Sequence, residues 1–267
     1  MKVKFPHRIV CMTEESVETI YALGLQDRIV GVSSYVKRPE EATKKPKVSV
    51  FTHAQLQKIV DLKPDLVLGF SDIQKDIARD LIGMGLNVWI ANHRSIQEIL
   101  DYILTLSSML GAQEAGEKFV DELIAKIEEA KNSAKRLSRS PRVYIEEWDE
   151  PMISGIQWFS EFVELCGGTN VFHEKSNQSL GKDRVLSHKE VIAANPDIML
   201  ACWCGKKVDI ESIYNREGYS QLSFIQNKQV YELEPEMFLQ PGPAPILSGL
   251  EVLSKIFASW QKLAESD

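Results

Sequence analysis

Cys202-Trp203-Cys204 is the tightest pairing of soft donors in the chain, and two thiols one residue apart can begin a site for a thiophilic metal. A strand at this point would aim both thiols the same way. No third ligand stands at metal-site spacing, so a metal-cluster or metalloenzyme reading needs a histidine from elsewhere in the fold. The five histidines are His7, His53, His93, His173 and His188, and none has a partner at ligand spacing. His53 lies in the stretch Phe51-Thr52-His53-Ala54 ahead of a helical pattern, which makes it a candidate axial ligand. Glu14-Glu15 and Glu146-Glu147 are adjacent carboxylates. The first pair falls where a helix begins and reads as a cap, because the helix dipole favours anions there. The chain holds no GxGxxG, Walker loop, GxSxG elbow or HExxH.

The aromatic residues fall in a more telling pattern. Phe70, Trp148, Trp158 and Trp203 stand at or just beyond the carboxyl ends of expected strands, where open parallel sheets bind ligands. Tyr35 and Phe51 occupy loops of the first half, and Phe238 a loop of the second. Rings so placed suit a large, flat, partly apolar ligand, since each gives much contact area at little entropy cost.

The elements that would position these residues are duplicated. Pro6-His7-Arg8-Ile9-Val10 opens one half and Pro141-Arg142-Val143-Tyr144-Ile145 the other. Leu62-Lys63-Pro64-Asp65-Leu66-Val67-Leu68 is echoed by Ala194-Asn195-Pro196-Asp197-Ile198-Met199-Leu200. In each copy a helix ends, proline stops it, and an apolar run enters a buried strand. Asn87-Val88-Trp89-Ile90 pairs in the same way with Gln229-Val230-Tyr231-Glu232. Strands alternating with helices predict an α/β fold of two lobes, each with a mainly parallel sheet flanked by helices. Between the halves, Phe119, Val120, Leu123, Ile124, Ile127, Ala130 and Ala134 recur at three- and four-residue steps. The spacing predicts one long helix over 113–139, joining an N-terminal lobe, 1–112, to a C-terminal lobe, 140–267.

Composition narrows the function classes. Thirty-one Lys+Arg against 38 Asp+Glu leave a net charge of −7, without the basic excess of a nucleic-acid binder. No stretch approaches the ~18 uninterrupted apolar residues of a bilayer span. Four cysteines in 267 residues are too few for a disulfide scaffold.

The whole chain resembles the class III, helical-backbone periplasmic substrate-binding proteins of bacterial ABC importers, and most closely their cobalamin-binding branch. The resemblance is carried by Arg8-Ile9-Val10, Ala22-Leu23-Gly24, Val30-Gly31-Val32-Ser33-Ser34-Tyr35, Leu62-Lys63-Pro64-Asp65-Leu66-Val67, Ser154-Gly155, Glu164-Leu165-Cys166-Gly167-Gly168-Thr169-Asn170-Val171-Phe172 and Asn195-Pro196-Asp197. It implies non-catalytic capture of a cobalamin-like corrinoid in the interlobe cleft. It also implies that Tyr35, Phe51 and Phe70 wall the first lobe, and that Met152, Trp158 and the loop Glu236-Met237-Phe238 wall the second. Trp203 is an added candidate from its own loop. Family members dock on importer membrane subunits through one glutamate per lobe. Here the matching positions hold Gln57 and Lys189, an exchange that weakens docking by charge. Glu190 and Glu161 are the candidate substitutes. The cysteine that pairs with the Cys-Gly-Gly cysteine in exported cobalamin binders is absent from Leu250–Ala258.

Two alternatives stand beside the corrinoid. An iron–siderophore or haem could use the same fold. Anionic siderophores call for a cationic lining, for which the loops offer Lys182, Arg184, Lys206 and Lys207. Haem would make His53 and Tyr35 the residues to test. The second alternative is the metal site built on Cys202 and Cys204. The stretch Met1–Val10 carries no apolar leader core, so the sequence as it stands reads as cytoplasmic, and as periplasmic if a leader has been removed.

Overall fold

The computed structural model describes residues 4–264. Met1–Val3, part of the stretch read for a leader, lie outside them. The chain divides into two units. The first comprises Met1–His93, Gln97–Leu123 and Gln240–Ala244; the second comprises Arg94–Ile96, Ile124–Leu239 and Pro245–Asp267.

The first sheet contains β1 (Ile9–Cys11), β2 (Ile29–Ser33), β3 (Lys47–Val50), β4 (His53–Ala54), β5 (Leu66–Phe70) and β6 (Val88–Ala91), ordered β4-β3-β2-β1-β5-β6. All its pairings are parallel except the terminal β3–β4 hairpin. Central β1 is wholly buried, as expected of a continuous apolar run in a sheet covered on both faces. The helices α1 (Glu14–Ala22), α2 (Leu56–Asp61), α3 (Lys75–Gly83) and α4 (Ile96–Met109) alternate with these strands or follow them.

Helix α5 spans Gln113–Ala134, and the division between units passes through it after Leu123. It stops before the expected 139 because Arg136 and Leu137 bond back to Ser133 and Ala134, closing the helix in a turn.

The second sheet contains β7 (Arg142–Asp149), β8 (Met152–Ser154), β9 (Thr169–Asn170), β10 (Ile198–Ala201) and β11 (Val230–Glu232). Its order is β11-β10-β7-β8, with β9 also paired to β7, and only β7–β8 is antiparallel. The remaining helices are α6 (Gln157–Leu165), α7 (His173–Ser176), α8 (His188–Ala194), α9 (Ile210–Tyr214), α10 (Ser223–Gln226), α11 (Pro235–Phe238) and α12 (Leu250–Ala264). Helix α8 opens with a full capping box between Ser187 and Glu190.

The duplication extends to atomic detail. Lys63 and Asn195, each just before the proline of its motif, both adopt positive φ, 49° and 38°. Asp65 accepts from the backbone N–H groups of His7 and Arg8, and Asp197 accepts from that of Arg142. Each aspartate therefore fastens the start of β5 or β10 to the start of its unit's first strand.

The short strap Gln240–Ala244 belongs to the first unit although it lies far along the sequence. Gln240 donates to Glu18, and the Pro241 carbonyl lies 2.7 Å from His93 Nε2. A Cβ at Gly242 would sit 2.7 Å from the Glu15 Cβ, so only glycine permits this approach.

Candidate ligand-binding loops

The order of connection reverses between β1 and β5 in the first sheet and between β7 and β10 in the second. Ligands of open α/β sheets settle outside the carboxyl ends of strands at such reversals.

In the first unit, β5 ends at Phe70 and the chain turns through Ser71, whose φ of 74° is uncommon for a residue with a side chain. Buried Gln74 braces the turn, accepting from the Phe70 backbone N–H and donating to the Phe51 carbonyl. Gly69 leaves it room, since a Cβ there would come within 2.4 Å of Gln74 Oε1. The brace brings Phe51 and Phe70 together with ring centroids 6.5 Å apart. Phe70 also meets the edge of His93, which stacks on Tyr102 at 4.4 Å. Phe51 is half-buried, Phe70 is buried, and Tyr35 is 49 % exposed. Ile73, beside this turn and 44 % exposed, was not singled out by the sequence pattern. His53 stands exposed on the terminal hairpin, its Nδ1 2.8 Å from the Thr52 hydroxyl.

Glu15 stands in the first turn of α1, where the sequence places it. It is buried, and the Thr13 hydroxyl donates to it. Burial, reinforced by the charges of Glu14 and Glu18, pushes its pKa up to about 8.

The second unit corrects the expected aromatic wall. Trp203 is 1 % exposed and lies in the core, its indole N–H donating to Glu146 at 3.0 Å. Trp158 is buried and donates to the Phe238 carbonyl. Phe238 is buried and stacks on Phe159 at 5.0 Å. Met152 is buried in the same core as Trp203, and the Tyr219 hydroxyl approaches its sulfur at 3.5 Å. The physical reason is common to the group. A large ring beside a sheet releases most free energy when wholly covered, and an indole N–H accepts burial once it has an acceptor. Glu236 is half-buried on α11.

Beneath these residues runs a set of ion pairs. Arg216 donates to both oxygens of fully buried Glu146, at 2.7 and 2.8 Å, and Tyr144 donates to the same carboxylate. Burial alone would lower the Arg216 pKa, but the bonds and charge of Glu146 raise it instead. Arg184 is buried against Glu147 at 2.8 Å, and Lys206 lies 2.5 Å from Asp149. Three carboxylates of β7 thus engage three cations. Arg184 and Lys206, expected as cationic lining, are already occupied, while Lys182 and Lys207 are exposed.

Cys202 and Cys204 do not face the same way: Cys202 is buried and Cys204 is exposed. The strand ends at Ala201, so its alternation does not reach them. Among the described residues, no group of three or more His, Cys, Asp or Glu could hold a metal ion. Gln57 and Lys189 are both exposed, each the second residue of its helix. Of the candidate substitutes, Glu190 is committed to its capping box and to Lys175, and Glu161 to Ile96 N–H and Gln157. No helix among the described residues is long and apolar enough to cross a membrane.

The periplasmic binding protein family matches residues 9–237. The chain belongs to that family. It is 26 % identical over 259 residues to YvrC of Bacillus subtilis, described as an uncharacterized ABC transporter substrate-binding lipoprotein, covering 94 % of this chain and 80 % of that one. It is also 26 % identical over 245 residues to a vitamin B12-binding protein of Vibrio cholerae, covering 90 % and 85 %. Among solved structures, the periplasmic vitamin B12-binding protein BtuF of Vibrio cholerae superposes with a TM-score of 0.78 at 24 % identity, covering 97 % of this chain and all of that one. The haem-binding protein RhuT of Roseiflexus sp. RS-1, in apo form, gives 0.79 at 20 %, covering 96 % and 98 %. These likenesses agree with the α/β fold expected from the sequence.

Proposed function

We propose that this periplasmic binding protein is the substrate-binding component of an ABC importer and that its cargo is a cobalamin-like corrinoid, held by the strand-end loops without chemical turnover. The observation that carries the choice of ligand is the occupation of the arginines. Arg38 pairs with Glu18, Arg184 with Glu147 and Arg216 with Glu146. A bidentate guanidinium is the usual reader of carboxylate-rich cargo, and these three are engaged by the protein itself. The exposed side chains Tyr35 and Ile73, with half-buried Phe51, offer apolar surface in its place. That combination suits a broad ring whose rim carries uncharged amides. The vitamin B12-binding relatives support the same cargo.

Parallel calorimetric titration with cobalamin, cobinamide and haemin tests this reading. Heat with both corrinoids is the expected result, and no heat with either removes it. Haem is the second reading, favoured by the exposure of His53 and Tyr35, which could reach an iron atom. A Soret shift on adding haemin, lost in His53→Ala or Tyr35→Phe, would select it.

Docking on importer subunits is weaker in this chain than in glutamate-bearing members, because Gln57 and Lys189 occupy the two positions. Reconstituted importer should capture the Gln57→Glu, Lys189→Glu variant more tightly than the unaltered protein. Equal capture would show that these positions do not carry docking.

A further inference from the structure

Trp148 lies near the carboxyl end of β7, and Lys206 lies in the loop that follows β10. These are the two strands between which the second sheet reverses its order, the place such sheets reserve for ligands. Of the wall expected there, Met152, Trp158, Trp203 and Phe238 are buried, while Glu236 and Met237 are half-buried. Trp148 keeps part of its surface exposed. Its indole N–H donates to the Glu150 carbonyl at 2.8 Å. That bond lies in the ring plane and leaves the faces of the ring for stacking.

The ammonium of Lys206 sits 4.4 Å from the centre of the Trp148 ring and 4.8 Å from that of Trp203. Asp149 holds it at 2.5 Å. Lys206 and Asp149 remain 39 % and 23 % exposed, and solvated pairs of this kind are weak. A cation over a partly exposed indole gains a modest attraction that a stacked ring can replace.

We propose that Trp148 is the ring on which the second unit stacks its flat ligand, and that Lys206 is a displaceable cover on that ring. The inference rests on the ligand reading above and adds the contact that its buried aromatics do not supply. The ligand class is a flat conjugated macrocycle, which lays part of its face on the indole and moves the lysine aside. Trp203, anchored to Glu146, acts as the fixed floor beneath Lys206 and not as a ligand contact.

The experiment titrates cyanocobalamin and haemin into the unaltered protein, Trp148→Ala, Trp148→Phe and Lys206→Ala, read by calorimetry and tryptophan emission. Trp148→Ala should weaken the bound ligand about tenfold, and Trp148→Phe should stay within about threefold, since it keeps a stacking face. Lys206→Ala should bind about two- to fivefold more tightly, and its ligand-free emission should be quenched more readily by acrylamide. Unchanged affinity in Trp148→Ala overturns the inference and leaves the proposed cargo standing. Should Trp148→Ala fail to fold, Lys206→Ala decides alone, and unchanged affinity with unchanged quenching overturns the inference. Failure of the unaltered protein to bind either macrocycle overturns both the inference and the cargo.

Discussion

Arg216 grips both carboxylate oxygens of Glu146 from 70 residues away along the chain, while Trp203 and Tyr144 donate to the same group. A fully buried charge is tolerated here because its partner and its hydrogen bonds are all in place. Glu146→Gln leaves the guanidinium without its counter-charge and should cost about 3–5 kcal/mol of stability. Urea unfolding measures this, and a loss below about 1 kcal/mol would mean that the pair does not hold the second unit's core together.

Glu15 gives the first unit a pH dependence of definite sign. Its folded pKa of about 8 stands above the ordinary 4.5, so the folded form binds the proton more tightly. The contribution is complete below about pH 4.5, falls as pH rises towards about 8, and is level beyond that. Thr13, Glu14 and Glu18 face the group from its own segment, and Tyr102 and Cys11 feel its charge from α4 and β1. Glu15→Gln should flatten the profile, unfolding at higher temperature than the unaltered protein at pH 8.5 and at the same temperature near pH 4. Parallel melting curves at both pH values would contradict the assignment.

Cys166 and Ser254 stand where a disulfide can be installed. The serine hydroxyl lies 3.6 Å from the thiol sulfur, 88 residues away along the chain. Forming the bond removes two electrons and so needs an added oxidant, and burial, which pushes the Cys166 pKa up to about 11, leaves little thiolate and slows it. Oxidised Ser254→Cys should gain about 2–4 kcal/mol. Thiol counting after denaturation and melting under oxidising and reducing conditions check it: three thiols should remain after oxidation, and all five persisting would show that the geometry is wrong.

Phe51 and Phe70 should separate by role although they touch. Phe70→Ala opens a cavity in a buried site and should cost about 3–5 kcal/mol of folding stability. Phe51→Ala removes a half-buried ring and should cost about 1–3 kcal/mol of ligand affinity with little change in stability. Titration and denaturation on both variants distinguish the two, and the reverse pattern would exchange their assignments.

Much of the scaffold was legible because it is local. Lys-Pro-Asp and Asn-Pro-Asp announce the end of a helix and the start of a strand within a few residues, and the observed turns share even their left-handed residue. The loop aromatics were located correctly beside strand ends but not oriented. Whether Trp203 points outward depends on Glu146, and Trp158 depends on the Phe238 carbonyl, partners 57 and 80 residues distant. Sequence position cannot report such acceptors. Strand alternation does not govern Cys202 and Cys204, because β10 ends at Ala201. The first-turn position of Glu15 was legible but its burial was not, because the strap that covers it arrives more than 200 positions later.

That late-arriving strap bears on any attempt to express the halves separately. A fragment cut after α5 would lack Gln240–Ala244, leaving Glu18 without Gln240, His93 without its carbonyl and Glu15 open to water. The amino-terminal half therefore cannot be complete on its own. A synthetic peptide spanning the missing stretch, or the other half supplied in trans, would be needed to finish it.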